Sequence, residues 1–304
     1  MKRKIIKTAL LTVLIINISA CAKSNDNEGN IAIVDGTAIS NDSYLKELDF
    51  YQKYYSKKYG EGYLDKKIDR NKTNKDILEK ELVDSMIKDQ VMVNDLKNNN
   101  IKVDDNVAST IRSDLEDELG GKDSLKSNVK AIGLDDNKFN QILYNDSIRK
   151  QHYNYFIGHS GIKDSEVLEY YKTNKKYHKQ YKYNVLVFDD KNEAEKVHNN
   201  LKSPEDFKTY LNKTIQNYDV INSDFVYNDD PILKAGDTFE KGKPSNIFKY
   251  NDKYMILMVN SYNENENELL INVKDIYLKE KYIEYLNKLV KKSKIRLCLL
   301  YTSP

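Results

Sequence analysis

The sequence predicts an α+β chain: a mainly helical body, opened by a short β-hairpin and completed by a returning C-terminal helix, that carries an inserted antiparallel-sheet domain. Three observations predict it. Apolar residues recur at three- and four-residue steps through most of residues 31 to 178. At Tyr181 the pattern changes to short continuous apolar runs separated by turn signals. A wide apolar stripe then returns from about Leu269 to Val290, too wide to stand alone in water.

Each element has its own signal. Ile31 to Ser40 alternates apolar and polar residues around Asp35-Gly36, which predicts a short hairpin. Ser40 or Asn41 caps a helix carrying Tyr44, Leu45, Leu48, Tyr51 and Tyr55, and Gly60 and Gly62 end it. From about Asn74 to Leu96 a long helix places Leu78, Leu82, Met86 and Val93 on one face, widened by Val83, Ile87 and Val91, and Asn98-Asn99-Asn100 stops it. Asp104 is the expected N-cap of the next helix, whose Val107, Ile111, Leu115 and Leu119 stand four residues apart. Helices around 125–129, 135–155 and 162–175 follow. Beyond Tyr181 the reading is a strand at 183–188, helices marked by Ala194, Val197 and Leu201 and by Phe207, Tyr210 and Leu211, a second strand at 225–227, and a hairpin turning at Asn251-Asp252.

The N-terminus carries the sharpest motif. Lys2, Arg3, Lys4 and Lys7 precede an apolar run ending in Ile18-Ser19-Ala20-Cys21, which has the layout of an export signal with a lipobox. Residues 1–20 are read as a lipoprotein signal peptide and Cys21 as the diacylated residue. The run is too short to span a bilayer, and a doubly acylated cysteine holds a membrane stably where one chain does not. An ordinary secretory signal with a chance cysteine, or an uncleaved anchor, is the alternative. Residues 21–30 hold no large apolar side chain and read as a tether.

Composition narrows the partners. The 304 residues carry net charge +2; residues 1 to 20 supply four cations and no acid, which leaves the remainder at −2. Acids and bases are interleaved, so no nucleic acid is expected as a partner. Only two cysteines exist, Cys21 and Cys298, so neither a disulfide framework nor a thiolate metal site is expected. The tail from Leu297 to Pro304 breaks from the Lys, Asn and Glu character before it and reads as sequencing-adapter read-through, which would leave the natural C-terminus unstated. Abundant Lys, Asn, Ile and Tyr fit an AT-rich coding bias and a Gram-positive source.

An exported helical region opening with Val34-Asp35-Gly36 through Ile39-Ser40, followed by an α+β insert and a returning helix, resembles the PrsA and SurA families of extracytoplasmic foldases. The lipobox favours the PrsA side. The resemblance implies that residues 31–178, completed by 268–294, form a peptide-binding chaperone domain, and that residues 181–262 form a parvulin-type peptidylprolyl isomerase domain. It implies unfolded or newly exported polypeptides as partners, a diacylglyceryl anchor on the outer face of the cell membrane, and no cofactor; it leaves a homodimer open.

Residue by residue, the parvulin pattern is degenerate. The family's first strand carries a histidine before Ile-Leu-Val, and here the text is Asn184-Val185-Leu186-Val187. A second histidine in Tyr-His-Ile is replaced in Tyr254-Met255-Ile256. The glycine pair of the family is absent from Asn222 to Tyr227. Gly242-Lys243-Pro244-Ser245 fits a family turn, but Asp237 occupies the place of the pocket phenylalanine, with Phe239 at the neighbouring apolar position. The resemblance therefore implies weak or no isomerase activity; the alternative is an active isomerase with a divergent proline pocket of Phe225, Tyr227, Leu233 and Phe239. A rival from another class is a surface lipoprotein binding module or adhesin.

Other motifs fall away. The four histidines, His152, His159, His178 and His198, lack metal spacing and are read as solvated. No metal site, nucleophile elbow or Walker loop is found. Among 24 tyrosines, most read as half-buried helix residues, but Tyr51, Tyr54, Tyr55, Tyr59 and Tyr63 crowd near a glycine loop and are candidates for binding unfolded clients.

Overall fold

The computed structural model describes residues 29–212, 217–236 and 240–298. In chain order these form β1 (Asn30–Val34), β2 (Thr37–Ser40), α1 (Asn41–Tyr59), α2 (Asn74–Asn98), α3 (Asn106–Leu119), α4 (Lys122–Ala131), α5 (Asp136–His159) and α6 (Asp164–Thr173). There follow β3 (Gln180–Phe188), α7 (Lys191–Asn200), α8 (Pro204–Leu211), β4 (Asp219–Asn222), α9 (Pro231–Gly236), β5 (Phe248–Tyr250), β6 (Lys253–Asn263), α10 (Glu266–Lys292) and β7 (Ile295–Leu297). They are mostly helical, with two antiparallel sheets. Two compact units result: residues 1–161 with 281–304, and residues 162–280. This division moves 162–178 and 268–280 out of the helical body to which the sequence reading gave them.

The first unit starts from the hairpin. Asp35 and Gly36 both take positive φ, 49° and 87°, the turn that matches strand twist. Behind it the sheet runs β2-β1-β7, so the first strand is central and the last strand closes it. Ala32 pairs with Leu297 and Val34 with Ile295. The Asp35 carboxylate accepts from the Lys294 amide at 2.7 Å, pinning the turn to the entry of β7. Leu297 and Cys298 are thus part of the fold: Cys298 is 1% exposed and its amide donates to the Ile31 carbonyl at 2.9 Å. Of the tail read as sequencing-adapter read-through, 299–304 fall outside the described residues.

The helices form because each carries an apolar stripe and a start signal. Ser40 caps α1, its hydroxyl accepting from Ser43 N at 3.1 Å. Thr73 and Asp76 form a reciprocal capping box at α2. Asp104 is one residue early as the cap of α3: the N-cap is Asp105, and the Asp104 carboxylate instead accepts from Asn106 N at 2.9 Å. The stripes of α1, α2 and α10 meet the sheet in one core containing Ile31, Val34, Tyr44, Leu48, Leu82, Ile87, Val91, Ile148, Leu286 and Val290. A second core joins Phe50, Leu125, Val129, Phe139 and Leu143. α3 only leans on it: none of its residues is buried and Leu119 is exposed.

The second unit is a four-stranded antiparallel sheet in the order β4-β3-β6-β5. One face, with Leu186, Phe188, Ile256 and Met258, is covered by Ala194 of α7 and Phe207 of α8. The other, with Tyr183, Val185, Val187, Met255, Leu257 and Val259, takes Leu233 of α9. The Asn251-Asp252 turn is as expected, with φ 49° and 60°. The strand expected at 225–227 is not formed; β4 lies at Asp219–Asn222 and Val226 makes only an isolated bridge with Tyr181. The first half of α10 buries Leu269 and Val273 against Val167, Tyr171 and Tyr177.

Candidate functional site

A groove of about 760 Å³ opens in the first unit between β2, α1, α2 and α5. Three helices each offer it one stripe: Ser43, Lys46, Glu47, Phe50 and Tyr51 from α1; Met86, Asp89, Gln90 and Val93 from α2; Lys138, Gln141, Ile142, Asn145 and Ile148 from α5. The spacing is that of a single helix face in every case. Phe50 and Ile148 are buried at its base, whereas Gln141 and Asn137 stand exposed at its rim. The lining is thus apolar below and rich in amides and hydroxyls above, a surface able to take side chains and bond a main chain.

Its electrostatics centre on Arg149. The guanidinium donates to both Asp89 oxygens, at 2.8 and 2.7 Å, to Asp146 at 3.0 Å and to Ser85 at 3.2 Å. Burial pushes the Asp89 carboxyl up, and the Arg149 bonds pull it back. Glu47 has no such cation bonded to it. Burial raises its pKa and the Asp89 charge raises it further, against weaker opposition from Arg149 and from a hydrogen bond to Asn145. The rim cations are engaged elsewhere, Lys46 with Asp42 at 2.7 Å and Lys138 with Asp49 at 3.4 Å.

All five tyrosines singled out in the sequence come together, as a ladder leading away from the groove. Tyr51 lines the groove, and its ring lies 6.5 Å from Tyr55. Tyr54 meets Tyr55 edge-on at 5.5 Å, and Tyr55, Tyr59 and Tyr63 stack at 4.6 to 6.2 Å. Tyr59 is 49% exposed, and the Lys58 ammonium sits 5.0 Å from its ring. Helical spacing makes 51, 55 and 59 one edge, and the loop through Gly60 and Gly62 folds Tyr63 back onto it.

Among the described residues, the parvulin-pattern positions do not form one site. Register pairs Asn184 with Met258 and Met255 with Val187, which sets Asn184 and Met255 on opposite faces of the sheet. Asn184 instead joins an amide row across three strands, donating to Asn222 and accepting from Asn260. Met255 is buried beside Leu233. Phe225 is 40% exposed beneath Lys182, and Tyr227 packs with Tyr177 and Leu269 in a different cluster. Cys21, Asp237 and Phe239 lie outside the described residues. No helix among the described residues is long and apolar enough to cross a membrane.

One histidine contradicts the solvated reading. His152 is fully buried; its Nδ1 lies 2.8 Å from the Tyr282 hydroxyl and its Nε2 3.2 Å from Asp95, which also accepts from Tyr285 at 2.6 Å. With Nε2–H donating to the carboxylate, Nδ1 is left to accept from Tyr282. No spacing rule could have found it, since Asp95 is 57 residues away and Tyr282 is 130.

Residues 1–155 match a family model described as the SurA-like N-terminal domain. No curated protein matches the sequence. Among solved structures, the chain is similar to one from work on PEB4 and Cj1289, two SurA-like chaperones of Campylobacter jejuni. The identity is 18%, over 89% of this chain and 99% of that one, with TM-score 0.43. It is similar to the foldase PrsA of Lactococcus lactis at 13% identity over 89% and 95%, with TM-score 0.41. PrsA of Bacillus subtilis gives 15% over 88% and 93%, with TM-score 0.30.

Proposed function

The chain belongs to the family with the SurA-like N-terminal domain, one of chaperones and foldases, and on that premise we propose that the groove and its tyrosine ladder hold segments of unfolded polypeptide. The observation that carries the reading is the lining: an apolar base of Phe50, Met86, Val93, Ile142 and Ile148 beneath an amide and hydroxyl rim, continued by exposed aromatic surface. Such a surface offers contact area with few shape demands, which suits many clients rather than one.

The chain from Ala22 onward should suppress light scattering by an unrelated, chemically unfolded protein, and Met86→Asp with Tyr51→Asp should weaken suppression without loss of helical circular dichroism. A protein that suppresses nothing yet binds a single partner saturably is a ligand-specific surface module, and the chaperone reading then fails.

The finer features belong to the same proposal. The protein works outside the cytoplasm, held to the outer face of the membrane by lipid on Cys21; metabolic palmitate labelling should mark the wild type and not Cys21→Ala. Residues 181–262 are a parvulin-like insert with little or no isomerase activity. Prolyl isomerisation has a barrier of about 18–20 kcal/mol, lowered only where the imide enters a desolvated slot. Asn184 and Met255 face opposite sides of the sheet, and Phe225, Tyr227 and Leu233 are dispersed, which favours the inactive reading. On a proline-containing tetrapeptide the full chain should give the background rate; a clear excess restores the isomerase.

A further inference from the structure

The charge arrangement in the groove says more about what enters it, if the groove does hold polypeptide as proposed above. Beside Glu47 stand one further carboxylate, Asp89, and one guanidinium, Arg149, which pairs with both Asp89 and Asp146. Arg149 spends its donors on Asp89, Asp146 and Ser85. Glu47 is left in the groove wall with an amide, Asn145, as its hydrogen-bond partner. The rim lysines already have carboxylate partners. A half-buried carboxylate of this kind is costly unless something positive meets it, and a client is what can supply the charge.

We infer that the groove selects client segments in which a lysine or arginine is flanked by apolar side chains, with Glu47 as the carboxylate that pairs with the cation. The flanking side chains rest on Phe50, Met86 and Ile142, and the aliphatic stem of the basic residue crosses the same apolar base before its head reaches Glu47. Burial and the Asp89 charge raise the Glu47 pKa, and a client ammonium beside it acts in the opposite direction. The selected class is therefore a basic residue within a hydrophobic stretch, rather than a hydrophobic stretch alone.

The test uses the chain from Ala22 onward and three fluorescent apolar peptides, identical except for lysine, norleucine or glutamate at the centre. Anisotropy should place the lysine peptide about tenfold tighter than norleucine, the size of one charge-assisted pair, with glutamate weakest. Added salt should narrow the gap. Glu47→Gln should bind the lysine and norleucine peptides alike, at the wild-type norleucine level, and Glu47→Lys should favour the glutamate peptide. Equal wild-type binding of lysine and norleucine overturns the inference while leaving the groove reading intact, as does discrimination that survives Glu47→Gln. If no peptide binds at all, the groove reading falls with it. Should either variant fail to fold, the wild-type order of the three peptides decides alone.

Discussion

The fold shifts the ionisation of His152 and Glu47, and the two act in opposite directions. For His152, burial lowers the pKa below 6.5 despite the favourable Asp95. The unfolded chain then binds the proton more readily, so stability is full above the unfolded value and declines as pH falls through it. The groups facing the ring are Asp95 from α2 and Tyr282 and Tyr285 from α10. Urea midpoints should fall between pH 7.5 and 5.5, and His152→Gln should flatten that fall even though it lowers stability throughout. For Glu47 the folded pKa is raised, so its unfavourable contribution is absent at low pH and grows as pH rises above the ordinary carboxylate value. Glu47→Gln should accordingly raise the melting temperature at pH 7 and change little at pH 4. Neither residue was legible beforehand. Glu47 sits at an ordinary polar helix position, and its meaning depends on charges brought by α2 and α5.

Local rules served well wherever an element is made by its own residues. Asp35-Gly36 and Asn251-Asp252 announced their hairpins because only a few residue types tolerate positive φ in a two-residue turn. Asp252 is an L-residue at φ 60°, and its ion pair with Lys249 is too exposed to matter much. Asp252→Gly should therefore stabilise the second unit, by roughly 0.5 kcal/mol in chemical denaturation. Thr73→Ala removes the side-chain half of the α2 capping box and should cost about 1 kcal/mol. The groove itself was missed for a related reason. Its helical stripes mix Glu47, Asp89, Gln90 and Asn145 with apolar residues, and hydrophobic periodicity discards such faces as solvent. The tyrosine ladder was found because its crowding is visible in one stretch of chain. Strands β4 and β7 were missed because each is short and is defined by distant partners rather than by its own alternation.

At the scale of the whole molecule the units are unequal in how the chain builds them. The second uses one continuous stretch, 162–280, whereas the first joins 1–161 to 281–304. Cys298 reports on that closure. In a Cys21→Ala background its thiol should resist a disulfide reagent in the folded protein and react only as the first unit unfolds, because it is 1% exposed beside β1. Rapid labelling under native conditions would mean that β7 does not hold. The central place of β1 between β2 and β7 also sets a timetable. A chain emerges from its N-terminus, so β1 waits for β7 before both its edges are covered. Until then the side that will receive Ile295 to Leu297 offers unpaired backbone to any extended segment nearby. A nascent copy thus leaves one edge of its central strand open until β7 has been made, and needs cover there itself in the meantime.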